Sequence, residues 1–175
     1  RIGKVYRYGK KIYAFIERIY MFFVELLFRL IKKELTDKTR QTFKEFFQFG
    51  LVGVSNTIVS YLLYAVSLFM LSKTGIKIDY IIANIISWLL SVLWSFYWNN
   101  KFVFKKEDGE KRNIWAALFK TYVSYGFTGL ILNNILLVLW ISVLHMNKMI
   151  APIINLIINI PINFFLNKIW AFGKK

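Results

Sequence analysis

Residues 151–170 read APIINLIINIPINFFLNKIW, and as far as Asn167 the stretch carries no charged side chain. About 20 apolar residues is the length of α-helix that crosses a hydrocarbon core roughly 30 Å thick. The polar residues of the stretch are Asn155, Asn159, Asn163 and Asn167, one at every fourth position. The segments Phe49 to Met70, Tyr80 to Asn100, Thr121 to Leu144 and Met149 to Asn167 all lack Asp, Glu, Lys, Arg and His. Any one of these blocks could be the buried helix of a soluble domain, but four of them in 175 residues leave too little chain to cover them. The expectation is an all-α membrane protein with four transmembrane helices, at about 48–71, 80–99, 114–144 and 149–170.

Charge orients these helices, because lysine and arginine in short flanking segments stay on the cytoplasmic side. Of the 24 basic residues, 21 lie before the first block, between the second and third, or after the fourth. Only Lys73, Lys77 and Lys148 fall on the other side. Both termini and the middle loop are therefore expected in the cytoplasm, in a multi-pass protein of the cell membrane. The formal net charge of +15 then faces anionic lipid headgroups, or an anionic lipid substrate, and calls for no nucleic-acid partner.

Residues 1–42 read as a separate region, with 43–175 as the membrane domain. In KKIYAFIERIYMFFVELLFRLIKKEL, from Lys10 to Leu35, charges at Arg18, Glu25, Arg29 and Lys32 recur at helical spacing beside a broad apolar face. That pattern predicts an N-terminal amphipathic helix in the cytoplasmic interface, or one packed on a soluble partner or another subunit. No small-residue cleavage site follows it, so it does not read as a signal peptide.

Chemistry of the enzymatic kind is hard to build here. There are no cysteines, hence no disulfide and no thiol catalysis. The single histidine, His145 in LHMNK, has no nearby carboxylate and reads as an interfacial residue rather than a metal ligand. No paired carboxylates, activated nucleophile or phosphate-binding glycine loop is visible, so neither an enzyme nor a cofactor or metal site is expected. A proton-coupled exporter is disfavoured as well, because no ionisable group lies in the core of any span.

An internal repeat is visible. A shift of 68 residues lays Ala83, Ser87, Ser91, Ser95 and Asn99 on Ala151, Asn155, Asn159, Asn163 and Asn167, and FYWNNKFVF (96–104) on FFLNKIWAF (164–172). The chain thus reads as a duplicated two-helix hairpin whose copies run in the same direction, about an axis along the membrane normal. Residues four apart share a helix face, with a drift of about 40° per step. For the serines, close helix packing is explanation enough. Four bulky amides pack backbones poorly and expose many donors and acceptors, which favours a polar cavity. Pro161 frees the carbonyl of Ile157 in the middle of that ladder, and Asn56, Asn84, Asn133 and Asn134 offer further polar groups to the interior.

These features, with FGLVGVSNT at the entry to the first span and the paired endings NNKFVF and NKIWAF, resemble the GtrA-like family of four-helix membrane proteins over about Phe43 to Phe172. The resemblance implies a flippase that moves a polyprenyl-phosphate-linked sugar from the cytoplasmic to the outer leaflet, for cell-surface polysaccharide or teichoic-acid glycosylation. Under that reading Lys101 and Lys168 bind phosphate, Asn155, Asn159 and Asn163 meet sugar hydroxyls together with Asn56, and Asn99 and Asn167 stand at the entrance. Snorkelling beside Phe102, Trp170 and Phe172 is the plainer account of the two lysines. The alternative function is a non-transporting anchor or activating subunit of a membrane glycosyltransferase. A bundle of four helices is narrow for a sugar pathway, so a homo-oligomer, most simply a symmetric dimer, is expected.

Overall fold

The structure is a computed structural model and describes residues 2–76, 78–105, 112–147 and 150–173. Arg1, Lys77, Lys106, Lys111, Lys148, Met149, Lys174 and Lys175, which enter the charge and span assignments above, lie outside the described residues. Among the described residues every regular element is helical. The chain falls into two compact units, Arg1–Gln48 and Phe49–Lys175.

The first unit holds α1 (Ile2–Leu30) and the leading turns of α2 (Asp37–Ser72). Helix α1 ends in a left-handed cap at Lys32, φ 54°, where the Lys33 amide donates to the Phe28 carbonyl at 3.0 Å and the Lys32 amide to Arg29 at 3.1 Å. Six-to-one and five-to-two bonds of this kind occupy carbonyls that a helix end leaves open. Helix α2 starts behind Thr36, whose Oγ1 accepts the Thr39 amide at 3.3 Å, and Asp37 in its first turn suits the helix dipole. The start at Asp37 extends the helix well before the apolar block, because those extra turns pack on α1.

Tyr20 stacks on Phe47 with centroids 5.0 Å apart, Phe28 meets Phe43 edge-on at 5.8 Å, and Gln48 Nε2 donates to Tyr13 Oη at 2.9 Å. Arg40 pairs with Glu25 at 2.6 Å and Lys44 with Glu17 at 3.6 Å. Burial, and then the Glu17 carboxylate, hold the Tyr13 hydroxyl above the usual tyrosine pKa. The broad apolar face of the sequence stays exposed, and the side of α1 that packs on α2 is the opposite one. Met21 and Val24 are buried, while Ile12, Phe15, Ile19, Phe22, Phe23 and Leu26 stay exposed.

In the second unit α3 (Asp79–Trp98) runs into a π-helical turn, Asn99–Val103. Next, α4 (Ile114–Gly126) starts under Asn113, whose side chain accepts the Ala116 amide at 3.1 Å. It continues as a π-helical stretch Phe127–Leu132, α5 (Asn133–Val138) and a second π-helical stretch Leu139–Val143. The sequence predicts one regular span there, and the structure divides it between α- and π-helical turns. Thr128 Oγ1 donates to the Ser124 carbonyl at 2.9 Å and Asn134 Nδ2 to the Leu130 carbonyl at 2.5 Å. Finally, α6 (Ala151–Phe165) passes through Pro161 and ends in the π-helical turn Leu166–Ala171.

Three helices among the described residues are long and apolar enough to cross a membrane: Asp37–Ser72, Ile114–Val143 and Ile153–Ala171. Helix α3 adds 20 residues, about 30 Å of rise. The chain is an all-α, multi-pass membrane protein.

Small side chains set the close approach of α3 and α4. Ser87, Ser91 and Ser95 on one, and Ala117, Thr121 and Ser124 on the other, are all buried. Ser87 and Ser91 donate to carbonyls three residues back, both at 3.0 Å, and Ser95 Oγ lies 2.8 Å from Tyr125 Oη. The repeat is visible as paired geometry. The Phe104 amide donates to Asn99 O at 2.7 Å and the Phe172 amide to Asn167 O at 2.8 Å. Phe96 meets Phe172 at 5.6 Å and Phe104 meets Phe164 at 5.8 Å, and these are equivalent contacts under the 68-residue shift. Phe104 and Phe172 stack between them at 4.8 Å.

Candidate functional site

A cavity of about 480 Å³ lies within the second unit, bounded by α2, α3, the α4–α5 span and α6. Gly50 and Gly53 on α2 and Gly129 in the first π-helical stretch line it, and a Cβ at any of the three would meet nothing within 4 Å. Missing side chains therefore make part of the space. Polar groups reach it from α2, the α4–α5 span and α6: Asn56, Thr57, Thr128, Asn133, Asn159 and Asn163. Its described lining contains no Asp, Glu, Lys, Arg or His.

The asparagine ladder has two kinds of rung. Asn155, 1% exposed, donates from Nδ2 to both the backbone and side-chain oxygens of Asn133 at 2.9 Å, and its Oδ1 accepts Trp140 Nε1 at 2.8 Å. Asn167, 0% exposed, donates from Nδ2 to Asn163 O and Oδ1, both at 2.9 Å. Between these two, Asn159 and Asn163 line the cavity. Asn159 Nδ2 donates to Asn133 Oδ1 at 3.3 Å, while its Oδ1 has no protein partner. A drift of about 40° per four-residue step separates the rungs in this way.

Of the residues picked out from sequence, the cavity thus brings together Asn56, Asn159 and Asn163. Asn155 is used up holding α6 to α5. Asn99 and Asn167 are fully enclosed at 0% exposure rather than at an opening. Lys101 is exposed, donates to Tyr97 Oη at 3.0 Å and lies over the Tyr97 and Trp98 rings at 5.3 and 5.9 Å. Lys168 is half-buried, 5.8 Å from the Phe164 centroid. Neither lysine is among the described residues that line the cavity.

Other contributors carry little signal in the sequence. Trp88, Tyr125 and Thr128 line the cavity, and Trp140 orients Asn155. Arg112 donates from Nη1 to Asn100 Oδ1 at 3.0 Å and to the Phe104 carbonyl at 2.7 Å, and Lys120 to the Trp170 carbonyl at 2.9 Å. Two basic residues thus close the carbonyls at the ends of the two π-helical turns, a role that spacing along the chain does not reveal.

No solved structure matches this chain. Two relatives do, both named cell wall teichoic acid glycosylation protein GtcA. That from Listeria monocytogenes serovar 1/2a is 29% identical over 96 residues, 55% of this chain and 65% of the relative. That from Listeria innocua serovar 6a is 29% identical over 106 residues, 61% of this chain and 72% of the relative. The chain therefore spans about two thirds of the length of these relatives. The model of the GtrA/DPMS transmembrane domain matches residues 48–172, the same segment that holds the cavity, the repeat and the paired aromatic endings, and the chain belongs to that family.

Proposed function

We propose that this protein moves a polyprenyl-phosphate-linked sugar from the cytoplasmic to the outer leaflet, in support of cell-surface polysaccharide or teichoic-acid glycosylation. The observation that carries this reading is an uncharged, mostly apolar cavity within the membrane domain that has the amides of Asn56, Asn159 and Asn163 on its walls. Amides in lipid are retained only where they find partners, and sugar hydroxyls exchange hydrogen bonds with amides without either group ionising. The names of the relatives and the family membership point the same way. Lys101 and Lys168 serve the phosphate in this scheme, and the bias of basic residues supports cytoplasmic termini. Purified protein in proteoliposomes, assayed for transbilayer movement of a polyprenyl-phosphate sugar, tests the proposal. Asn159→Leu with Asn163→Leu is expected to abolish movement at unchanged protein level, and movement indifferent to that pair would reject the site.

A second reading has its own support. Exposed Phe15, Phe22, Phe23 and Leu26 on α1 form an apolar face suited to a membrane-bound glycosyltransferase that this protein would anchor or stimulate. Deleting residues 1–40 is then expected to abolish partner capture, with no sugar-lipid movement by the remaining domain.

A further inference from the structure

An indole is part of the cavity lining. Trp88 on α3 lines it, with 37% of its surface exposed. The ring is held in place, because Tyr122 meets it edge-on at 5.6 Å and Tyr122 Oη donates to the Leu89 carbonyl at 2.6 Å. Asn56 on α2 and Asn159 and Asn163 on α6 supply the amides, and Asn56 Oδ1 and Asn159 Oδ1 are enclosed with no protein hydrogen-bond partner. At about 480 Å³ the space lies in the lower part of the roughly 300–1,000 Å³ range of small-molecule pockets.

A flat aromatic surface together with neutral amides complements one chemical shape in particular. A pyranose ring has an apolar C–H face and a rim of hydroxyls, so it can lie on an indole while its edge exchanges hydrogen bonds with amides. The absence of any Asp, Glu, Lys, Arg or His from the described lining adds a second criterion. A carboxylate or ammonium on the sugar would enter that space with no counter-ion among its described lining, which is strongly unfavourable, whereas the phosphate of the lipid stays outside it with Lys101 and Lys168 in the function proposed above.

We propose that Trp88 is the platform on which a single pyranose ring stacks, with Asn56, Asn159 and Asn163 reading its hydroxyl edge, and that the cavity accepts neutral sugars and rejects charged ones. This rests on the cavity being the sugar site of the function proposed above and names its specificity. Trp88 is a specificity-determining residue here, and its replacement by another flat ring preserves the function.

The test uses full-length protein with two radiolabelled probes, a short-chain polyprenyl-phosphate glucose and its glucuronate counterpart, in equilibrium binding and in proteoliposome movement. Wild type is expected to bind the glucose lipid at least about tenfold more tightly than the glucuronate lipid. Trp88→Leu is expected to lose about tenfold in glucose-lipid affinity, and Trp88→Phe to stay within about threefold of wild type. Folding of each variant is checked by its thermal transition. If Trp88→Leu binds the glucose lipid as wild type does, or wild type binds both lipids equally, the inference is overturned whatever happens in transport. If wild type binds the glucose lipid with the expected dependence on Trp88 but moves nothing, the platform stands and the flippase reading fails. If wild type binds neither lipid, both fail.

Discussion

Asn155 on α6 and Asn133 on α5 share two hydrogen bonds, from one Nδ2 to a backbone and a side-chain oxygen, each at 2.9 Å. With Trp140 Nε1 on its own oxygen, Asn155 ties three positions of the domain together at one point.

Asn155→Leu is therefore expected to act on stability. It strands the Trp140 donor, at about 1–3 kcal/mol for a buried group left without its partner, and removes the bonds that hold α6 to Asn133. A lower thermal transition in detergent, with no comparable loss for Asn56→Leu, whose Oδ1 has no protein partner, is the expected pattern. An Asn155→Leu variant as stable as wild type would remove the tie.

Filling the cavity separates space from fold. Because a Cβ at Gly53 meets nothing within 4 Å, Gly53→Ala should be tolerated and even gain about 0.5–1 kcal/mol from helix propensity. Gly53→Phe should keep the fold and block sugar-lipid movement, measured as a retained thermal transition with loss of transport.

Phe104 touches Phe49, Phe164 and Phe172. Phe104→Ala should destabilise by about 3 kcal/mol, as for other buried aromatic truncations. The double variant with Phe172→Ala should lose less than the sum of the single losses, because one stack is removed by either change. Chemical denaturation in mixed micelles reads both.

The ion pair between Arg40 and Glu25 is partly exposed, with side chains 40% and 34% accessible. Screening by water keeps such a pair to less than about 1 kcal/mol. Arg40→Gln should scarcely alter protease resistance of the 31–36 connection, whereas Tyr20→Ala, which removes the stack on Phe47, should expose it to cleavage.

Much of the architecture was legible in the chain because lipid imposes a coarse rule: every span must be long, apolar and helical. The repeat was legible too, since Phe96 and Phe164, Asn99 and Asn167, and Phe104 and Phe172 keep both identity and spacing. What spacing did not disclose is which rung of the ladder faces a neighbour and which faces the cavity. That choice depends on the partner helix, where Asn133 accepts Asn155 and leaves Asn163 to the open side. Trp88 was equally hidden, because an aromatic residue in a span looks the same whether it faces lipid or a cavity. The long α2 and the burial of Met21 and Val24, on the side of α1 away from its broad apolar face, required knowledge of what packs on Phe43 and Phe47, which periodicity within one helix does not contain.

The aromatic box has a consequence for assembly. Phe96 with Phe172, and Phe104 with Phe164, are one contact made twice, each hairpin giving both kinds of ring and receiving both. Such an arrangement is that of an isologous dimer interface joined into a single polypeptide. The covalent link has freed the halves from identity, so one helix keeps serines for tight packing while its counterpart carries amides, a division of labour closed to any homodimer of hairpins.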